Sequence, residues 1–463
     1  MFRRKMIRDT ILLMTMQLIL DSASLMLNVF ITERLGAAAV GVLSLTGSFL
    51  GFAVILSGGN AFLCTSRLIS EELGKPDPAP DRVLMHGICF CMILSLTVSA
   101  VLLTCSGTVC RYFFKGADLS AAVKLMPAAL VTGAVSACFK GYFNACRKAS
   151  AAGAGDILEF AVRSAVVVLM TLSCGTPGRE EVCRILISGA VAGNAFSFLY
   201  CIIVYMKLKI PSSGLCSSGF TEYVRYALPI MGGSLLTAAL SSTNDMLIPI
   251  CLRQSGDSAD EALSRFGVFE AIVIPALFFP SVILCSISGM IVSESARAAA
   301  SGNRERLKEL ASRLTEYTMI FAVSAAAVLM RFGDMIGSRL GGGELAGKMI
   351  VMISPVVPFI YMEIILEAMI KGMGYQGFSS LNYLAEYAVR ISAVLIFVPF
   401  TGFYGIVISY YASNIIGNIS RFVKVKRCTG ARISPVRCVL LPVFYAALLT
   451  AAADIAVRAF TGR

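Results

Sequence analysis

Long apolar runs recur along this chain, broken by short polar segments. Runs of about 20 residues predict helices that cross a bilayer, and six fall at about 9–32, 37–64, 84–107, 120–144, 153–173 and 183–206. Residues 207–221 are polar, carry Pro, Gly and Ser, and predict a linker. Apolar runs resume at about 222–250, 266–292, 313–333, 345–370, 378–399 and 403–423, and a thirteenth covers 436–458. The basic N-terminus followed by an apolar run has the outline of a signal peptide. That run continues through Asp21 to Ile31 without a small-residue cleavage site, so it predicts a retained first span.

One segment occurs twice. Lys140-Gly141 and Lys371-Gly372 each close an apolar run, and a small polar turn follows. The next run opens with Glu159-Phe160-Ala161-Val162-Arg163 in one copy and Glu386-Tyr387-Ala388-Val389-Arg390 in the other. The offset is 231 residues at the Lys-Gly and 227 at the Glu, so only the turn differs in length. Ile69-Ser70-Glu71 is echoed by Val292-Ser293-Glu294. With six spans each, both halves start on the same side of the membrane, and the repeat is parallel rather than inverted. The predicted organisation is a first six-helix lobe (1–206), a cytoplasmic linker (207–221), a second six-helix lobe (222–427) and an additional transmembrane segment (428–463).

Composition fixes the class. The chain is 57% hydrophobic and 15% charged, with a mean hydropathy of +0.78, whereas soluble domains carry roughly 25% charged residues. The expected fold is an all-α polytopic membrane protein. A net charge of +12 would suggest nucleic acid for a soluble chain, but here loop lysines and arginines account for it and no nucleic acid is expected. With the N-terminus inside, inner segments, among them 421–437 with Arg421, hold 25 Lys and Arg and outer segments 13. That bias places the N-terminus in the cytoplasm, and the expected location is the inner (cytoplasmic) membrane. Lys140 and Lys371 are read as snorkelling to the interface.

The fifteen cysteines form no CxxC pair and His86 is the only histidine, so they read as small hydrophobes and no metal or cofactor is expected. There is no GxxxxGK[ST] loop, nucleophile elbow or zinc motif, and an enzyme reading finds no support. Transport energy would come from a Na⁺ or H⁺ gradient or from the substrate's own downhill movement.

Ionisable groups inside spans are costly unless they face a bundle interior or water, so each is a site candidate. Glu159 with Arg163, and Glu386 with Arg390, are four apart and meet on one helix face. Each pair is either a self-neutralised insertion device or the polar wall of a cavity. Glu363, Glu367 and Lys371 continue as one stripe at i, i+4 and i+8. Asp21 and Asp245 have polar neighbours and no countercharge nearby in sequence, which suits a proton or Na⁺. Glu270 shares its helix with two prolines, which free carbonyls for bending or ion coordination. Substrate contact is therefore assigned to Glu159, Arg163, Glu363, Glu367, Glu386 and Arg390, and ion coupling to Asp21, Asp245 and Glu270.

The stretch from Leu228 to Asn303, LPIMGGSLLTAALSSTNDMLIPI onward, resembles the start of the second half in stage V sporulation protein B-type transporters. KGYFNACRK…ILEFAVR is similar to their fourth-to-fifth-span region, and ITERLGAAAVGVLSL resembles the end of their first span. The resemblance runs over nearly the whole chain. It implies the MATE-like multidrug/oligosaccharidyl-lipid/polysaccharide (MOP) exporter superfamily: two six-helix lobes in a V around a central cavity, alternating access and a monomer. The implied substrate is a polyprenyl-linked sugar whose head crosses through the cavity while its tail stays among membrane lipids.

Three departures stand out. Asn28 occupies the place where that pattern has an arginine suited to a pyrophosphate, and Asn28 joins the substrate-contact set. The chain has thirteen spans where longer relatives have fourteen. Asp245 lies in the helix whose acidic residues help couple ions in drug-extruding relatives. The leading expectation is a flippase or exporter of a lipid-linked oligosaccharide or cell-wall precursor, tied to sporulation. The alternatives are a Na⁺- or H⁺-coupled multidrug exporter of amphiphilic small molecules and a non-transporting membrane scaffold.

Overall fold

The computed structural model describes residues 2–58, 60–73, 78–113, 120–173, 178–208, 219–431 and 436–461. Among these, every regular element is helical. Inside a bilayer only a helix or a closed barrel satisfies the backbone, so apolar runs of this length fold as helices. The rods are α1 (Phe2–Leu35), α2 (Ala37–Glu72), α3 (Pro80–Phe113), α4 (Met126–Ala145), α5 (Ala149–Ser173) and α6 (Arg179–Leu208). They continue as α7 (Phe220–Gln254), α8 (Ala259–Ala300), α9 (Arg304–Arg339), α10 (Gly343–Gly372), α11 (Gln376–Thr401), α12 (Phe403–Thr429) and α13 (Val436–Thr461). Each predicted span has its rod. Among the described residues, nine helical stretches are long and apolar enough to cross a membrane, and the protein is a multi-pass membrane protein. The predicted linker falls mostly on 209–218, outside the described residues.

The rods overrun the predicted spans because charged end turns leave the hydrocarbon while keeping their helical bonds. α9 shows this, starting nine residues before its apolar run, where the Asn303 side chain accepts from Arg306 N. α8 opens with a reciprocal capping box between Ser258 and Glu261. Gly430, at φ 67°, ends α12 in the left-handed conformation that glycine tolerates best.

Three rods are broken in mid-course. In α2, Asn60 takes φ 58°, its amide donates to Ser234 Oγ, and the Gly58 carbonyl accepts from Cys91 Sγ at 3.6 Å. In α8 a π turn at Phe269–Val273 precedes a 3₁₀ turn at Phe279–Ser281. In α10 the 3₁₀ turn Ser354–Val356 contains Pro355. Proline removes one N–H from the ladder, and these local windings re-pair what remains.

The chain forms two compact units. The first comprises Met1–Leu20 with Arg34–Met246, and the second Asp21–Glu33 with Leu247–Arg463. In the first, Cys64, Ile69, Leu84, Cys91, Cys138, Tyr142 and Phe143 form the core where α2, α3 and α4 meet. Gly189 and Gly193 bring α6 against α5: a β-carbon at Gly193 would lie 2.7 Å from the Glu159 carbonyl oxygen. In the second, Tyr361 Oη donates to the Leu277 carbonyl at 2.8 Å and Tyr411 Oη to that of Met352 at 2.8 Å.

The repeated Lys-Gly has the same packing role in both units. A β-carbon at Gly141 would lie 2.7 Å from the Phe62 carbonyl oxygen, and one at Gly372 would lie 2.5 Å from that of Val292. Val292 thus stands where Phe62 stands, an offset of 230 that agrees with the Lys-Gly offset of 231. The Ser-Glu echo at an offset of 223 is seven residues out of register, about two turns. A three-residue echo carries little information; the close crossing sets the register.

Gly141→Val or Gly372→Val should therefore destabilise the protein by about 1–3 kcal/mol through overpacking. Gly232→Ala, where a β-carbon meets nothing within 4 Å, should be neutral or stabilising. Thermal unfolding in detergent checks all three.

Candidate functional site

α10, α11 and α12 bring the charged residues of the second unit together. Glu363, Glu367 and Lys371 share one face of α10 through their four-residue spacing, and Glu386 and Arg390 share a face of α11. From α12, Arg421 enters between them with a side chain that is 0% exposed. Its Nη1 lies 3.0 Å from Glu386 Oε2, its Nε 3.3 Å from Glu367 Oε2 and its Nη2 2.9 Å from Glu363 Oε1. The last contact is an ion pair without hydrogen-bond alignment, because Nη2 has no partner in bonding geometry. Glu363 is therefore less tightly tied than the other two glutamates.

The remaining cations are paired as well. Arg390 Nη2 reaches Glu386 Oε1 at 3.2 Å and its Nε donates to Ser413 Oγ at 3.0 Å. Lys371 Nζ lies 3.2 Å from Glu367 Oε1, and Ser379 Oγ also donates to Glu367. Tyrosine rings flank the bases: Arg421 lies 4.7 Å from the Tyr383 centroid and Arg390 lies 4.5 Å from that of Tyr410. Gly417 gives the network room, since a β-carbon there would lie 2.6 Å from Glu386 Oε2.

In front of this network is a cavity of about 440 Å³. Glu363, Glu367, Lys371, Glu386 and Arg390 line it, together with Tyr383, Tyr387, Tyr410 and Asn414. Four of the residues assigned to substrate contact from sequence thus share one cavity wall. Arg421 was assigned to the cytoplasmic loop charges, because hydropathy ends the span at about residue 423 and a terminal arginine looks solvated. The overlooked signal is polar spacing. Ser409, Ser413, Gly417 and Arg421 follow at i+4, as do Asn414 and Asn418, and they mark a polar face on α12.

The first unit differs. Glu159 was expected to pair with Arg163 on its own helix, but its ion pair is with Lys140 of α4, at 2.7 Å. Lys140 also meets Asp156 at 2.7 Å. Lys140 is buried and does not snorkel to the interface, since two carboxylates across the helix pair hold it more strongly than water at the bundle end. The Arg163 guanidinium lies 5.4 Å from the Phe160 ring centroid. Lys371, with a side chain 47% exposed, does reach outward.

The other candidates lie apart from the cavity wall. Asp245, in the first unit, accepts from Ser48 Oγ of α2 at 2.7 Å and from its sequence neighbour Asn244 Nδ2 at 3.3 Å. Asn28 donates from Nδ2 to the Ala271 carbonyl at 3.1 Å, inside the π turn of α8. Glu270 occupies the second position of that turn, and Asp21 is half-buried on α1. Among the described residues no group of three or more His, Cys, Asp or Glu is arranged to hold a metal ion.

The profile of the polysaccharide biosynthesis protein family matches residues 6–292, more than half of the chain. The chain belongs to that family. Membership agrees with a resemblance that places it among MOP exporters. A search of curated proteins finds no match. Solved structures share the fold at low identity. An inward-facing multidrug resistance MATE family transporter of the MOP superfamily is 15% identical, with a TM-score of 0.68, over 89% of this chain and 94% of that one. The lipid II flippase MurJ in an inward closed conformation is 12% identical, with a TM-score of 0.69, over 95% and 92%. A MOP superfamily transporter from Pyrococcus furiosus, described by a binding pocket of reverse polarity, is 15% identical, with a TM-score of 0.60, over 92% and 96%. The fold is MATE-like.

Arg421→Ala should strip three buried carboxylates of their shared countercharge and cost about 3–5 kcal/mol. Changing Glu363 alone to Gln in the Arg421→Met background, which leaves Glu367 with Lys371 and Glu386 with Arg390, should recover most of that loss. Unfolding midpoints of the single and combined variants in detergent measure it.

Proposed function

We propose that this protein is an alternating-access transporter that moves a lipid-linked oligosaccharide or cell-wall precursor across the cytoplasmic membrane. The observation that carries this reading is membership of the polysaccharide biosynthesis protein family by a chain with a flippase-like and exporter-like fold. The polar cavity of the second unit supports it, because a hydrophilic head needs hydrogen-bonding partners to leave water. The N-terminus faces the cytoplasm. Moving buried Arg421 and Lys140 out of the inner count leaves 23 inner against 13 outer Lys and Arg, and the bias holds.

Coupling to Na⁺ or H⁺ rests with Asp245, Asp21 and Glu270, of which Asp245 has the best-defined oxygen surroundings. Both Asp21 and Glu270 belong to the second unit, and Glu270 lies in the π turn that Asn28 braces. A second reading, a cation-coupled multidrug exporter, draws on the MATE-like fold and on the glutamates of the cavity wall.

Proteoliposomes carrying a fluorescent polyprenyl-diphosphate sugar and, separately, a cationic dye distinguish the two, each with and without Na⁺ and pH gradients. Movement of the lipid-linked sugar alone is expected; gradient-driven dye movement alone would replace the flippase reading with the exporter. Arg390→Ala, which removes a charge-assisted bond at the cavity wall, should slow sugar movement about tenfold. Asp245→Asn should abolish any gradient dependence, measured as the ratio of rates with and without the gradient.

A further inference from the structure

Three carboxylates and three bases meet at the second unit's cavity. Glu363, Glu367 and Glu386 are matched by Lys371, Arg390 and Arg421, and all three bases are within 3.3 Å of a glutamate oxygen. Arg421 lies behind the lining residues, and the network as a whole is strongly polar yet sums to no net formal charge.

That balance selects among ligands. A diphosphate would have to draw Arg390 or Lys371 away from its glutamate and leave three buried carboxylates sharing two bases. An organic cation would have to draw a glutamate from Arg421 and leave three bases sharing two carboxylates around a 0% exposed guanidinium. A neutral polyhydroxyl compound disturbs neither. Its hydroxyls can donate to lone pairs that the ion pairs leave over, because a carboxylate accepts about four hydrogen bonds. Its C–H faces can lie on the rings of Tyr383, Tyr387 and Tyr410, and Asn414 adds an amide with both donor and acceptor. The cavity, about 440 Å³, falls in the usual range for small-molecule sites, about 300–1,000 Å³.

We infer that this cavity binds the uncharged pyranose part of the transported substrate and leaves its diphosphate to be held elsewhere. The inference rests on the flippase reading and deepens it, since it names the part of the substrate that meets α10, α11 and α12. The same sugar chemistry could arrive free or lipid-linked, and the test separates the two.

Full-length protein in nanodiscs is examined by saturation-transfer NMR with three soluble probes: an uncharged N-acetylhexosamine disaccharide, inorganic pyrophosphate and tetraphenylphosphonium. The disaccharide should give saturation transfer, and Tyr387→Ala and Glu363→Gln should each weaken its binding at least about tenfold, the scale of one lost ligand hydrogen bond or ring contact. Tyr317→Ala, on the exposed face of α9, should leave it unchanged. Should Tyr387→Ala fail to fold, the neutral and near-isosteric Glu363→Gln carries the test alone. A polyprenyl-diphosphate disaccharide added to the nanodisc should displace the free sugar, which would identify the lipid-linked form as the occupant; lack of displacement would overturn the assignment to the transported substrate. Pyrophosphate or tetraphenylphosphonium binding that is lost in the cavity variants would overturn the inference, as would disaccharide binding that ignores them or no disaccharide binding at all. If lipid-linked sugar still moves in proteoliposomes while the cavity variants change nothing, this inference fails and the flippase reading stands. If only the dye moves, the flippase reading itself fails.

Discussion

A buried guanidinium must be paired, and in this protein that requirement organises a whole helix bundle. Arg421 is among the largest fully buried side chains in the described structure, and ionising it away from water is tolerable only because Glu363, Glu367 and Glu386 converge on it. Those glutamates come from α10 and α11, so one side chain of α12 fixes how three helices approach. Gly417 leaves the room that the Glu386 carboxylate occupies. Removing any one member leaves the others with unbalanced charge in a medium of low dielectric, so the network is cooperative by construction.

The first unit meets the same constraint on a smaller scale. Lys140 is sandwiched between Asp156 and Glu159, with Gly141 packed against α2 next to it. In the second unit the glycine crossing is retained, but Lys371 turns to Glu367 and Arg421 takes over the carboxylate equivalent to Glu159. The two copies of the repeat share a backbone junction and differ in how charge is neutralised around it. Packing at a glycine depends on neighbouring backbone positions and tolerates little drift. Ion pairs reached by long flexible side chains can exchange partners without moving a helix.

Much of this was legible in the amino-acid order. Apolar run lengths located the rods because the bilayer leaves the backbone no alternative, and the doubled Lys-Gly and Glu-aromatic-Ala-Val-Arg segments exposed the repeat. The four-residue spacings placed Glu363 with Glu367 and Glu386 with Arg390. What stayed hidden depends on contacts between helices. Lys140 looked like an interfacial lysine because its partners lie 16 and 19 residues away on α5. Asn28 serves the Ala271 carbonyl, and no local pattern announces that a π turn will present that carbonyl. Arg421 was hidden by its position near the end of an apolar run, although the polar i+4 face leading to it was present.

Transport should bring the sugar of a lipid-linked substrate into the tyrosine-lined cavity of the second unit. Photocrosslinking tests it most directly. A polyprenyl-diphosphate disaccharide carrying a diazirine on its sugar would be irradiated during turnover in proteoliposomes, and the adducts mapped by peptide mass spectrometry. Adducts should concentrate on α10, α11 and α12 around Glu363, Tyr383, Tyr387 and Asn414, and excess unlabelled substrate should suppress them. Competable adducts confined to the Lys140–Glu159 region, with none on those three helices, would contradict it.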